Sequence, residues 1–168
     1  MPADRHMRGT DSDLRLLMAY WLMKSEPSEC SIDDALAARD ATVPWVGVRN
    51  FQARNFMRNE MQVGDGVLFY HSSCPEPGIA GIAEVASAPY TDKSQFDKNS
   101  DYYDPKSKKD NPRWVNVDVR AVRKTRLISL NEMRNQKPLA KMVTLRPGNR
   151  LSITPVTESE WKFIAKLV

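Results

Sequence analysis

The residues of this sequence best equipped for chemistry are aromatic side chains set beside hydrogen-bonding ones: Trp21 with Lys24 and Ser25, Trp45 with Arg49, Asn50 and Phe51, Tyr70 with His71 and Ser72, and Trp114. Planar rings stack on nucleobases for about 1–3 kcal/mol per base, and a few fixed polar groups can read the base edge. The grouping therefore predicts a pocket for a flat heterocycle. Trp21 and Trp114 fall in β-favouring segments, where core packing explains a tryptophan as well as ligand contact does. Trp45 lies in a loop after Pro44 and ahead of Arg49-Asn50, which makes it the stronger candidate for a pocket wall. Arg49, Arg54 and Arg58 are each followed by Asn near the start of an expected helix, and a helix amino terminus suits an anion. A solvated helix face explains Arg54 and Arg58 almost as well.

Other chemistries find little support. His71 and Ser72 are adjacent in an expected strand, so their side chains point to opposite faces and make a poor catalytic dyad. Cys30, Cys74, His6 and His71 lack metal-site spacing, and no glycine-rich phosphate motif occurs. The chain thus reads as non-catalytic, with no metal or cofactor expected. Its 25 Lys and Arg against 21 Asp and Glu leave +4, a mild tilt toward polyanions. The same excess of four is found between Asp97 and Arg126 alone, where nine basic residues meet five Asp. Lys106, Lys108, Lys109 and Arg113, together with Arg54, are the expected contacts to a nucleic-acid backbone. A second basic loop runs from Lys141 to Arg150.

The elements that must hold these groups suggest a single domain. Of the 168 residues, 41% are hydrophobic and 27% charged, as in a globular protein, and no apolar run is long enough for a membrane helix. Residues 1–17 read as a disordered tail or upstream extension, and 18–168 as the domain. Two cysteines without a secretory signal point to an intracellular protein, cytoplasmic if bacterial and nuclear or cytoplasmic if eukaryotic; a monomer is favoured. Tyr20–Lys24 is an expected strand. Ser31 and Asn50 are expected N-caps, of helices ending near Arg39 and Met61. The runs 67–72 and 79–85 read as an antiparallel pair, and Val115–Ala121 as a long strand with one buried face. Tyr90–Pro112 is a long surface excursion, followed after the long strand by a helical turn at 130–135, a short strand at 151–154 and a helix with a capping box at Thr157–Glu160. The order lacks a βαβ repeat and fits an α+β class with a small curved, mostly antiparallel sheet and peripheral helices.

Taken in order, Tyr20-Trp21-Leu22-Met23-Lys24-Ser25-Glu26-Pro27, Trp45-Val46-Gly47-Val48-Arg49-Asn50-Phe51, Phe69-Tyr70-His71-Ser72-Ser73-Cys74, Pro77-Gly78-Ile79-Ala80-Gly81 and Asp110-Asn111-Pro112-Arg113-Trp114 resemble the EVE-domain family from Met18 to Leu167. The resemblance implies a PUA-like fold, a small β-barrel with peripheral helices, similar in shape to YTH and ASCH domains. It also implies a reader of modified bases, modified cytosine in DNA first and RNA after it; a small-molecule or anion sensor using the same pocket without nucleic acid is the alternative reading. Lys24-Ser25 and Trp45 resemble the Lys-Ser pair and first cage tryptophan of YTH domains. A second cage tryptophan has no counterpart in the Tyr90–Pro112 loop, where Tyr90 or Tyr102 would have to serve. The resulting site comprises Trp21, Lys24, Ser25, Trp45, Arg49, Asn50, Phe51, His71, Ser72 and Trp114, with Trp45 stacking, Arg49 and Lys24 meeting phosphate or base acceptors, and Asn50 and Ser72 reading the base edge.

Overall fold

A computed structural model describes residues 18–168, and the expectation for residues 1–17 lies outside them. The strands are β1 (Tyr20–Ser25), β2 (Thr42–Pro44), β3 (Gly66–His71), β4 (Gly78–Val85), β5 (Tyr90–Thr91), β6 (Val115–Asn116), β7 (Asp118–Ser129) and β8 (Ile153–Val156). The helices are α1 (Ile32–Ala37), α2 (Phe51–Asn55), α3 (Leu130–Arg134) and α4 (Glu158–Leu167). Beyond Asn55 the α2 chain widens into a π turn over Phe56–Glu60, closed by the Met61 N–H donating to Phe56 O at 2.8 Å. Six strands form one sheet in the order β2-β7-β4-β3-β1-β8, and β5 and β6 form a separate pair.

The class is α+β, and most strand pairs are antiparallel; β1 and β3 run parallel. A closed barrel is not what the strands make, since the outer strands β2 and β8 do not pair with each other. The physical reason sits at both edges. Lys24 N–H donates to Ser152 O, so by alternation Trp21 and Pro155 are a non-hydrogen-bonded pair and the Pro155 nitrogen faces outward. Trp45 N–H donates to Val117 O, which turns the Pro44 nitrogen outward in the same way. Neither edge can donate a full row of bonds to a further strand.

The unbroken apolar run in β1 follows from burial on both faces. Trp21 and Met23 join Val67, Phe69 and Val119 in a core under α1 and α2. Leu22 turns the other way to meet Leu68, Ile79, Ile128, Met133 and Ile164 under α3 and α4. Trp21 is 3% exposed, and its indole Nε1 donates to Asp65 Oδ2 at 3.0 Å. The same carboxylate accepts from the Gln62 N–H at 2.9 Å and the Ala19 N–H at 3.3 Å, fixing the turn into β3. The α1 helix begins at a capping box between Ser31 and Asp34, and Ile32 lies so close to Gly81 of β4 that an added Cβ would stand 2.4 Å from Ile32 Cδ1.

The expected strand Val115–Ala121 is interrupted at Val117, where the chain changes partners. Val115 and Asn116 pair with β5, while from Asp118 onward the chain joins β2 and β4. The last strand begins at Ile153 rather than Leu151, after a loop that Asn149 braces.

Replacing Asp65 by Ala strips the buried Trp21 indole and the partly buried Ala19 and Gln62 N–H groups of their acceptor. At about 1–3 kcal/mol for a buried group left unsatisfied, the urea midpoint should fall by an amount equivalent to roughly 1–3 kcal/mol. A midpoint unchanged from the parent would show that this carboxylate is not what anchors Trp21.

Candidate functional site

A cavity of about 740 Å³ opens where β1 and β3 end, and the loop after β2 walls one side of it. Its border combines Lys24, Ser25, Glu26, Glu29 and Cys30 from the β1 end and the turn after it, Pro44 to Asn50 from the β2–α2 loop, Ser72 and Ser73 after β3, Tyr102 from the excursion, and Asn149, Arg150 and Ser152 ahead of β8. The volume lies within the usual range of small-molecule sites. Trp45 is 7% exposed and meets Phe69 edge-on, with ring centroids 5.3 Å apart, so it is a fixed part of the wall.

Arg49 fastens the excursion to this wall. Its Nη1 donates to Asp92 Oδ2 at 3.1 Å and to Val48 O at 3.0 Å, Nη2 to Ser94 Oγ at 3.0 Å and Tyr102 O at 2.8 Å, and Nε to Tyr102 O at 3.1 Å. All five guanidinium N–H donors are thereby engaged inside the protein. Asp92, fully buried, also accepts from the Gly47 N–H at 2.9 Å and from the Ser94 N–H and hydroxyl. Burial pushes its carboxyl up, but the bonds from Gly47, Ser94 and Arg49 outweigh this and hold it below the usual carboxylate range.

Tyr102 is the residue this clamp delivers. Its ring packs over Gly47, which has φ +83° and where a Cβ would stand 2.5 Å from Tyr102 Cζ. Only glycine satisfies both the backbone angle and the close approach. The Tyr102 hydroxyl donates to both oxygens of Glu29, at 2.8 and 2.7 Å. Burial, then the Glu29 bond, push its pKa up to about 12, so it remains a donor. Between the two expected stand-ins for a second cage aromatic, the structure brings Tyr102 to the cavity; Tyr90 instead donates to Asp118 Oδ1.

The other expected residues divide. Lys24, Ser25, Trp45, Arg49, Asn50 and Ser72 border the cavity. Lys24 is half-buried with its ammonium 5.7 Å from the Tyr70 ring, and desolvation lowers its pKa. Ser25 Oγ donates to Cys30 O, and the Asn50 carboxamide oxygen caps α2 through the Ala53 N–H. Trp21, Phe51, His71 and Trp114 lie off the cavity. Trp21 is core. Trp114, 5% exposed, donates from Nε1 to Asp104 Oδ2 at 2.7 Å and stacks on the half-exposed Phe51 with centroids 4.8 Å apart. His71 accepts the Ile32 N–H at Nε2 across 3.1 Å and so anchors the start of α1. Among the backbone candidates, Arg54 is held by Asn55 and by the carbonyl of Arg113, whereas Lys106, Lys108 and Lys109 are exposed and do not border this cavity.

Glu29, Gly47 and Arg150 border the cavity without having been expected there, and Asp92 and Gln95 work behind it. Gln95, buried, donates from Nε2 to the carbonyls of Asp92 and Trp114 and accepts the Ser107 hydroxyl and the Trp114 N–H at Oε1, knitting the excursion into a fixed body. A lone glutamine in a polar loop carries no periodic signal that could have marked it. Burial, then Asp34, raise the Cys30 thiol pKa, which opposes a nucleophilic thiolate. Among the described residues no group of three or more His, Cys, Asp or Glu could hold a metal ion, and no helix is long and apolar enough to cross a membrane.

The sequence profile of the EVE domain matches residues 19–167. The chain belongs to the EVE-domain family. Human thymocyte nuclear protein 1 is 44% identical, over 94% of this chain and 77% of that relative. Among solved structures, a Pseudomonas putida protein superposes with TM-score 0.84 at 46% identity, covering 89% of this chain and 99% of its own. The human THYN1 protein in complex with 5-methylcytosine containing DNA gives TM-score 0.84 at 44% identity, covering 89% of this chain and 96% of its own. An ASCH protein from Zymomonas mobilis, at 9% identity and TM-score 0.52, shares the fold alone with this EVE domain.

His71 gives the site region a pH signature. Desolvation lowers its pKa, outweighing Asp33 and Asp34, which raise it, while Lys124 lowers it further. A histidine depressed in the fold adds stability that is complete above its unfolded pKa of about 6.5 and is lost as pH falls through the folded value. Urea midpoints should therefore drop between pH 7.5 and 5.5, and His71→Gln should flatten that slope. An equal slope in the variant would place the titration elsewhere.

Proposed function

We propose that this EVE domain is a non-catalytic reader of a modified base, 5-methylcytosine in DNA, which it takes into the cavity as a flipped nucleotide. The observation that carries this reading is the cavity of about 740 Å³ bounded by Trp45 and the clamped Tyr102, in a chain 44% identical to a protein whose structure holds 5-methylcytosine containing DNA. Extruding a base costs a few kcal/mol of unstacking. Aromatic stacking returns about 1–3 kcal/mol per base, and the wall bearing Trp45 and Tyr102 is already formed, so little ordering remains to be done on binding.

The polar border suits cytosine. Thymine carries the same 5-methyl group as 5-methylcytosine and differs by presenting O4, an acceptor, where cytosine presents the N4 amine. Glu29 is acceptor-only when ionised and is oriented by Tyr102, so it is the group we assign to the amine. Asn50 and Ser72 supply donors for the remaining edge. Lys24 meets a base acceptor or phosphate, and Arg49 acts as a positioning residue, because its donors are engaged by the excursion.

Fluorescence anisotropy with duplexes carrying 5-methylcytosine, cytosine or thymine at one position tests the assignment. Trp45→Ala should weaken the 5-methylcytosine complex by roughly tenfold to a hundredfold through lost stacking, and Trp45→Phe by less. Thermal melts would establish that both variants are folded. Binding by a folded Trp45→Ala protein as tight as the parent's would move the pocket elsewhere. Glu29→Gln, whose amide can donate to O4, should cut the preference for 5-methylcytosine over thymine by about tenfold, within the 1–3 kcal/mol of a good base contact. Parallel arms with RNA and with free nucleotide separate a DNA reader from an RNA reader or an anion sensor. Of these only the polynucleotide complexes should weaken steeply with salt.

A further inference from the structure

The loop from Val143 to Leu151 walls two cavities. Asn149 and Arg150 border the base cavity, and the same two residues border a second one of about 340 Å³, bounded otherwise by Gln52, Val143 and the turn Arg146-Pro147-Gly148. The two spaces therefore adjoin across one short stretch of chain. A nucleotide seated in the first would carry its flanking phosphodiesters toward the second.

The chemistry of the two borders differs. Glu26 and Glu29 stand beside Lys24 at the base cavity, whereas among the described residues no Asp or Glu borders the second cavity. Arg146 and Arg150 do border it, both are exposed, and neither has a carboxylate within ion-pair distance among the described residues. Two of the three arginines of β7 offer a contrast: Arg120 is paired with Glu84 and Arg126 with Glu132. A guanidinium without an internal partner keeps its fork of donors for phosphate.

The backbone that carries the two arginines is braced. Asn149 Nδ2 donates to Val143 O at 2.8 Å, its Oδ1 accepts the Leu151 N–H at 2.9 Å, and its own N–H donates to Arg146 O at 3.1 Å. Gly148, at φ +77°, supplies the left-handed residue that lets the turn close. Such bracing lowers the ordering cost of binding.

We infer that the second cavity is a phosphodiester subsite in which Arg146 and Arg150 clamp the DNA backbone next to the flipped base. This rests on the base-reading function proposed above and adds to it the side on which the strand runs. The subsite reads no sequence, so its arginines add affinity equally to modified and unmodified DNA. Lys106, Lys108 and Lys109 border neither cavity and have no part in it.

The test uses the full chain, its Arg146→Gln, Arg150→Gln and double variants, and a 5-methylcytosine duplex titrated at several salt concentrations. Each phosphate contact contributes about 0.9 to the slope of log affinity against log salt. The double variant should therefore show a slope shallower by about 2 and weaker binding, and Arg146→Gln, at a residue that does not border the base cavity, a slope shallower by about 1 with an unchanged ratio of modified to unmodified affinity and unchanged affinity for the nucleoside 5-methyldeoxycytidine. A double variant that melts like the parent and keeps the parent's slope overturns the subsite while leaving the base reader standing. A change in the modified-to-unmodified ratio for Arg146→Gln also overturns it, since it would make this arginine a base reader. A parent that binds no DNA overturns the base reader and the subsite together.

Discussion

The contact between Arg49 and the buried carboxylate of Asp92 is the constraint on which the site depends. Two charges taken out of water are costly unless their remaining hydrogen-bonding groups are satisfied, and here they are: Asp92 collects bonds from Gly47, Ser94 and Arg49, and Arg49 spends its other donors on Val48, Ser94 and Tyr102. Removing either partner would leave a charge stranded near Trp45. The pair thus does for the excursion what a hydrophobic core does for a helix, in a segment too polar to form a core of its own.

Local chemistry made much of the scaffold legible. The caps at Ser31, Asn50 and Thr157 need only a hydroxyl or carboxamide at the right offset, and the structure has all three. The β3–β4 pair was equally clear from its β-favouring runs and turn residues. Harder to see was the break at Val117, because the alternation of apolar and polar residues continues through it while the hydrogen-bond partner changes. The parallel pairing of β1 with β3 left no mark either, since a strand buried on both faces looks the same whichever way its neighbour runs.

The site was legible in residue type but not in role. Loop position already set Trp45 apart from Trp21 in the sequence; what the sequence did not show is Asp65, 44 positions from Trp21, which holds that indole in the core. Arg49 and Asn50 were found together, yet the bonds from Arg49 to Asp92 and Tyr102 span 43 and 53 positions, and no spacing rule reaches that far. Glu29 and Tyr102 meet across 73 positions. Tertiary contacts of this kind turn an apparent ligand-binding arginine into part of the wall and raise an ordinary surface glutamate to a candidate specificity group.

The prolines at the two margins of the sheet have a meaning beyond the question of closure. An exposed strand edge is a template on which a second molecule can add its own strand, the first step toward aggregation. Wherever a neighbouring chain approached β2 or β8, it would meet a gap in the donor row at Pro44 or Pro155, and β2 offers only three residues in all. The same outward-facing nitrogens that leave the sheet open thereby guard it against sheet-to-sheet self-assembly in a crowded solution.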